Sequence, residues 1–303
     1  MPQKRTIRLG DWFFIFVCVF VILLCVLPMV NLFAQSLSSS QSVINRQVSF
    51  WPVYHDEEAN VFQPGITMDN FIYVFLDPGF SRSMYWTAML TVICTVWSLT
   101  MTILCAYPLT FTWLKGRAVI NTLIIFTMYF SAGTIPNFVL MRNLGLLNNP
   151  LVLILPNCLS VFNMIILRSF FYGIPDSLRE SAEIDGANPF TVLIRIFLPL
   201  SLPVLATLSL FYAVGRWNGF TDALLYINAA PQYVPVQLKL WQLIQNQTAI
   251  EVATVEMFSG AVPRASDARK AAAVMIATIP ILVVYPWLQR YFIAGVTTGA
   301  VKG

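Results

Sequence analysis

Charge is scarce in this 303-residue chain: Asp, Glu, Lys and Arg make up 11% of it, against 57% hydrophobic residues and a mean hydropathy of +0.71. So little polar surface excludes a soluble globule of this size and places the chain in a bilayer. Histidine occurs once, at His55. A single histidine supports neither a Ser/His/Asp nor a Cys/His nucleophile and no metal site, so His55 reads as a solvated loop residue. Cysteine is sparse, and Cys18, Cys25, Cys94, Cys105 and Cys158 all fall in apolar runs, where they read as small packed thiols rather than a disulfide framework or a metal site. No carboxylate pair has supporting bases around it, so the chain is not read as an enzyme. The phosphate-cradling pattern G-x-x-x-x-G-K-[ST] is also missing, which assigns nucleotide binding, if any is involved, to a separate chain.

Apolar length is what the chain has instead. Six stretches reach the roughly 20 residues that a transmembrane helix needs, near 11–34, 85–113, 119–141, 150–171, 199–226 and 271–293. The first follows Lys4, Arg5 and Arg8 and could pass for a secretory signal. Its apolar run from Trp12 to Phe33 exceeds the ~7 to 15 residues of a signal core, so it is read as a retained helix. With six spans, Lys4, Arg5, Arg8, Lys115, Arg117, Arg168, Arg179, Arg195, Arg290 and Lys302 fall on one side. The positive-inside rule makes that side the cytoplasm and both termini cytoplasmic, although Lys239, Arg264, Arg269 and Lys270 lie on the other. The reading is an all-α integral membrane protein forming one domain over 1–303. An external loop spans about 35–84, a short one runs "RNLGLLNNP", and a long one spans about 227–270, with "WQLIQNQTAIEVATVEMF" forming a helix.

One cytoplasmic stretch, "GIPDSLRESAEIDGANPF" from Gly173, is out of keeping with its greasy neighbours. Ser177 and Glu180 have the spacing of a capping box, which predicts a helix starting near Ser177. Gly186 is placed to end it in a left-handed conformation, Asn188 to cap a second helix, and Pro189 to fill its first position. Pro199 and Pro203 are expected to bend the chain as it re-enters the membrane. On local physics alone this is equally a well-capped, solvated surface loop.

Glu180, Ser181 and Ala182, three residues, Gly186, nine residues and Ile196 to Pro199 give E-A-A, three, G, nine, I-x-L-P, with Ser181 the one departure. This resembles the motif of the membrane subunits of bacterial ABC importers. Trp217 with Asn218 in the fifth span and the tail "GVTTGAVKG" are similar to the shorter permease partner of maltose-type carbohydrate importers. The resemblance implies a type I permease fold in the bacterial inner membrane. It also implies that Glu180, Ser181, Ala182, Asp185, Gly186 and Ala187, with Ile196, Leu198 and Pro199, lie on coupling helices seated on an ATPase subunit. Implied partners are a second homologous permease, two ATPase subunits carrying ATP and Mg, and an extracytoplasmic sugar-binding protein. Nucleic acid is not among them, and this chain is implied to bind no cofactor itself. Ser259, Gly260, Ala261, Val262 and Pro263 are the expected contact with the binding protein, and Gly299, Lys302 and Gly303 the expected contact of the tail with the ATPase.

Within the fifth span, Arg216, Asn218 and Asp222 are polar where a charge costs several kcal/mol unless it faces a cavity or a partner. With Trp217 they are expected to line the translocation path. On a continuous helix Asn218 and Asp222 share a face while Arg216 points about 160° from Asp222. Arg216 would suit an acidic sugar such as a uronate oligomer, or would pair with the other permease; Trp217 would stack on sugar or simply pack. An ion-coupled secondary transporter, an importer of a non-sugar solute, and a membrane assembly protein remain as alternatives.

Overall fold

The computed structural model describes residues 9–56, 59, 61–255 and 267–300. They form two compact units, one built from the chain up to Ser81 with Leu240–Thr278, the other from Arg82–Lys239 with the chain from Ile279.

In the first unit, α1 (Leu9–Ser36) shows exposed apolar side chains from Trp12 to Phe33, as a helix bathed in lipid should. The segment expected as an external loop over about 35–84 holds folded elements: α2 (Ser40–Ile44), strands β1 (Val53–Asp56) and β2 (Val61–Pro64), and α3 (Asp69–Leu76). Its serines make that possible. Ser36, Ser38 and Ser42 are buried; the Ser38 hydroxyl donates to the Ala34 carbonyl at 2.7 Å and accepts from the Val53 amide at 3.0 Å. Asn70 donates to the carbonyls of Ser36 (3.2 Å) and Ser38 (2.8 Å), so side chains satisfy the backbone that α1 leaves unpaired at its end. His55 is therefore a strand residue rather than a loop residue: it pairs with Phe62 across the antiparallel hairpin, their rings 4.7 Å apart. α14 (Val236–Val255) and α15 (Asp267–Ala300) each contribute part of their length, and the Arg269 guanidinium sits 4.2 Å from the Tyr73 ring centre.

The second unit takes most of α4 (Pro78–Ala106), then α5 (Arg117–Tyr129), α6 (Thr134–Asn143), α7 (Leu151–Ile154), α8 (Val161–Tyr172), α9 (Asp176–Ile184), α10 (Pro189–Val192), α11 (Leu198–Leu200), α12 (Leu202–Trp217) and α13 (Thr221–Tyr226). Three spans read as continuous are broken. The run 119–141 turns by 113° between α5 and α6, where Gly133 takes φ +87° and Pro136 falls in the first turn of α6, a position that needs no amide. The run 150–171 is interrupted at 155–160 around Pro156, and Cys158 lies in that break rather than in a helix. The fifth run, expected over 199–226, breaks at Asn218–Phe220. Among the described residues two helical stretches, Asp11–Ser36 and Pro78–Thr110, are long and apolar enough to cross a membrane, and up to four if each bent pair is one span.

Two apolar clusters pack along α4. Trp86, Leu90 and Cys94 belong to one, with Leu153, Ala223 and Tyr226; Ala106 and Tyr107 belong to the other, with Phe111, Phe171 and Phe197. At 1.5 Å per residue, about 25 Å separates the level of Leu90 from that of Tyr107.

Candidate functional site

The stretch from Asp176 to Leu200 begins with α9. Its N-cap is Pro175, extended at φ −59° and ψ 131°, and no side chain caps it. The capping box expected of Ser177 and Glu180 does not form, because a start at Asp176 puts Leu178, not Glu180, at the third helical position. The first turn is stabilised instead by the Asp176 carboxylate, which complements the helix dipole and pairs with Arg179 at 2.9 Å. The other end forms as its sequence predicts. Gly186 takes φ +82°, the Ala187 amide bonds the Ala182 carbonyl at 2.9 Å, and the Gly186 amide bonds the Glu183 carbonyl at 3.1 Å, the paired bonds of a Schellman cap. Asn188 then accepts from the Thr191 amide at 2.8 Å with Pro189 at the first helical position.

Residues Leu193–Phe197 widen into a π-helical turn, the Leu198 amide reaching back five residues to Leu193. Pro199 explains it: proline cannot donate to the Arg195 carbonyl, and its ring would clash there. The chain then bends by 83° at Ser201 into α12, as expected of Pro199 and Pro203.

Tyr107, at the end of α4, holds this piece in place. Its hydroxyl donates to the Pro189 carbonyl at 3.0 Å, and its ring lies edge-on to Phe111 (5.0 Å), Phe197 (5.1 Å) and Phe171 (6.2 Å). Arg179 lies over the Phe111 ring at 5.4 Å. Ala182, Ala187, Ile196 and Leu198 pack on this aromatic cluster, whereas Glu180, Ser181, Asp185, Gly186 and Pro199 are exposed. Sequence reasoning missed two exposed apolar side chains beside them, Ile184 at 86% and Phe190 at 61% exposure. Both are large apolar groups in a stretch of charges and small residues, and that contrast was readable as a contact surface.

Between the two clusters on α4, at the level of Cys94 and Ser98, a cavity of about 850 Å³ opens. Its wall includes Asn157, Asn163, Tyr212, Arg216, Asn218 and Asp222. Arg216 does not point away from Asp222. Because α12 ends at Trp217 and α13 starts afresh at Thr221, the guanidinium folds back over the break and grips the carboxylate twice, Nη1 to Oδ2 at 2.5 Å and Nη2 to Oδ1 at 3.1 Å. The break also ends the shared face expected of Asn218 and Asp222. Nη1 further donates to the Leu153 carbonyl at 3.1 Å, and Oδ1 accepts from the Ala223 amide at 2.9 Å. A Cβ on Gly219 would lie 2.4 Å from Nη2, so glycine is what lets the guanidinium fold back. Trp217 is 7% exposed and does not line the cavity, which favours its packing reading over sugar stacking.

Asn157, Asn163 and Tyr212 were not singled out from sequence; amides inside apolar runs were the available signal. Ser259, Gly260, Ala261, Val262, Pro263, Lys302 and Gly303 lie outside the described residues, and Gly299 is described only as backbone of α15.

Residues 7–298 match the family model described as "Binding-protein-dependent transport system inner membrane component". The chain is 38% identical over 281 residues to the polygalacturonan/rhamnogalacturonan transport system permease protein YtcP of Bacillus subtilis (strain 168), covering 93% of this chain and 94% of that one. To Protein LplC of the same organism it is 44% identical over 245 residues, 80% of this chain and 81% of that one. Among solved structures it matches a chain from a bacterial ABC transporter involved in the import of the acidic polysaccharide alginate, at TM-score 0.80 and 30% identity, covering 96% of this chain and all of that one. With a match over almost its whole length, this mostly helical transport component belongs to the family of binding-protein-dependent transport system inner membrane components.

Proposed function

We propose that this chain is the permease subunit of an ATP-driven importer that carries an acidic, uronate-containing oligosaccharide across the cytoplasmic membrane. The observation that carries the proposal is the 38% identity over 93% of the chain to a polygalacturonan/rhamnogalacturonan permease. The alginate importer chain supports the same chemical class, since both relatives are named for acidic polysaccharides. The Arg216 charge does not support it, being already neutralised by Asp222.

In this reading residues 1–303 act as one multi-pass domain with six spans and cytoplasmic termini, paired with a second homologous permease. Nucleotide and its magnesium belong to two separate ATPase subunits, and the family's description supports delivery by a binding protein. Asp176–Leu200 seats on the ATPase: Glu180, Ser181, Asp185, Ile184 and Phe190 face out while Ala182, Ala187, Ile196 and Leu198 hold to the aromatic cluster around Tyr107. Motion of the ATPase then reaches α4 through Tyr107 and α12 through the bend at Ser201. The 259–263 segment contacts the binding protein, and Gly299, Lys302 and Gly303 meet the ATPase.

Purification with native partners tests this reading, with mass spectrometry of what accompanies the chain and ATP-dependent uptake of galacturonate oligomers in proteoliposomes. A second permease, an ATPase and uptake are the expected result. Recovery of the chain alone, or uptake that follows the membrane potential without ATP, would overturn it.

A further inference from the structure

The polar groups of the cavity wall fall into two sets. Arg216 and Asp222 are committed to each other, to the Leu153 carbonyl and to the Ala223 amide. The Tyr212 hydroxyl is committed to the Thr102 hydroxyl at 2.7 Å and to the Ser160 amide at 3.2 Å. The second set is uncommitted. The carboxamide of Asn163, a residue only 5% exposed, makes no hydrogen bond among the described residues, and neither does the hydroxyl of Ser98, a residue 3% exposed; both line the cavity and neither is sealed away as an orphaned buried group. The carboxamides of Asn157 and Asn218, at the exposed part of the wall, are uncommitted as well.

A carboxamide that opens only on a cavity takes its hydrogen-bond partners from whatever polar group fills that cavity. A carboxamide presents two donors and an oxygen acceptor, and a hydroxyl both donates and accepts, so neighbouring hydroxyls on a sugar ring match it on both sides. Phe162, Phe211 and Phe220 in the same wall supply apolar faces for the C–H surface of such a ring. Among the described residues Arg216 is the one cation in the wall, and its fork is filled by a carboxylate of this chain.

We infer that Asn163, with Ser98, Asn157 and Asn218, forms a subsite that reads the hydroxyl groups of a sugar ring, and that this wall does not read the sugar's carboxylate. The inference rests on the import of an oligosaccharide proposed above and adds how this chain handles it: the acidity of the substrate is selected elsewhere in the assembly.

Asn163→Cys, in a chain whose Cys18, Cys25, Cys94, Cys105 and Cys158 are replaced by alanine, tests this in the purified complex with its partner permease and ATPase. A small thiol-reactive methanethiosulfonate is the probe, with galacturonate trimer or its carboxyl-reduced neutral counterpart as protectant. Both trimers should slow labelling, at similar concentrations. Protection by the acidic trimer alone would refute the hydroxyl reading. Protection by neither, or no labelling in the absence of sugar, would remove the subsite.

Asn163→Asp supplies a second readout that a structural role would not produce. The side chain keeps its shape and its acceptors but adds a charge, so binding of the acidic trimer should weaken about tenfold more than that of the neutral one. Asn163→Leu should weaken both about five- to tenfold. An unchanged ratio in Asn163→Asp would place the side chain away from the sugar. If the unaltered complex takes up galacturonate oligomers while Asn163→Cys shows no protection, the inference fails and the proposed function stands; if it takes up none, the proposed function fails.

Discussion

Replacing Arg216 by methionine while Asp222 remains strands a carboxylate whose side chain is 17% exposed in the middle of a membrane-embedded unit. Two contacts to Asp222 and one to the Leu153 carbonyl disappear together. Removing one partner of such a pair typically costs about 3–5 kcal/mol. The lower end applies here, because Oδ1 keeps the Ala223 amide at 2.9 Å and the carboxylate sits in the first turn of α13. Removing both charges as Arg216→Met with Asp222→Leu should cost less. It strands no ion, and it also removes the Arg216 Nε, which is buried without a hydrogen bond. What remains is a Leu153 carbonyl left with only the Cys94 thiol at 3.6 Å and an Ala223 amide without its acceptor, together a loss of about 2 kcal/mol. The double variant is therefore more stable than Arg216→Met by about 1 kcal/mol, with a non-additive coupling between the sites. A temperature ramp on the detergent-solubilised complex, read as the fraction still eluting as assembled complex, ranks the three proteins. The expected order is unaltered, double, single. A double variant no more stable than Arg216→Met would refute the clasp, as would an Arg216→Met complex of full stability that loses transport of acidic but not neutral oligosaccharides.

Gly219→Ala should behave like the loss of the clasp, since the new Cβ would meet the guanidinium at 2.4 Å; retention of the unaltered melting midpoint would count against that contact. Gly186→Val should leave the chain in the membrane but weaken binding-protein-stimulated ATP hydrolysis. The cap is held at φ +82° with open space around the missing Cβ, so the penalty is the roughly 1–2 kcal/mol of a left-handed backbone rather than a clash, and normal coupled hydrolysis would contradict it. Tyr107→Phe removes only the 3.0 Å bond to the Pro189 carbonyl, worth about 1 kcal/mol. It should lower uptake per ATP hydrolysed while assembly is unaffected, and an unchanged ratio would exclude Tyr107 from transmission.

Local rules made parts of this protein legible in its sequence. Gly186, Asn188 and Pro189 act within a few residues of themselves, so their caps could be assigned without a fold, and the motif spacing from Glu180 to Pro199 already resembled the family that the whole chain matches. The Ser177 capping box failed because a neighbouring proline and the Asp176–Arg179 pair offered the helix another start two residues earlier. The serine-rich segment after α1 read as a loop because serine is a turn former by composition; only when Asn70 and Val53 arrive from elsewhere in the chain do the same hydroxyls and carbonyls become a buried network.

Composition and apolar length determined that the chain lives in a membrane, because the number of apolar residues in a row is a property of the sequence alone. The sequence likewise determined the bend near Pro199 and Pro203 and the left-handed cap at Gly186, but not the 113° turn at Gly133 inside a run that reads as one span. It could not determine which way Arg216 faces. A helical wheel assumes an unbroken helix, and one break at Asn218–Phe220 turned a pair expected on opposite faces into an ion pair at 2.5 Å. Nor could it show that Asn157, Asn163 and Ser98 share a cavity, since Ser98 is more than fifty positions from the other two and only the packing of α4 against the breaks around Pro156 and Asn218 brings them together. Side-chain direction and long-range proximity come from tertiary structure, and in this protein they separate a charge held in an ion pair from amides left open on a cavity wall.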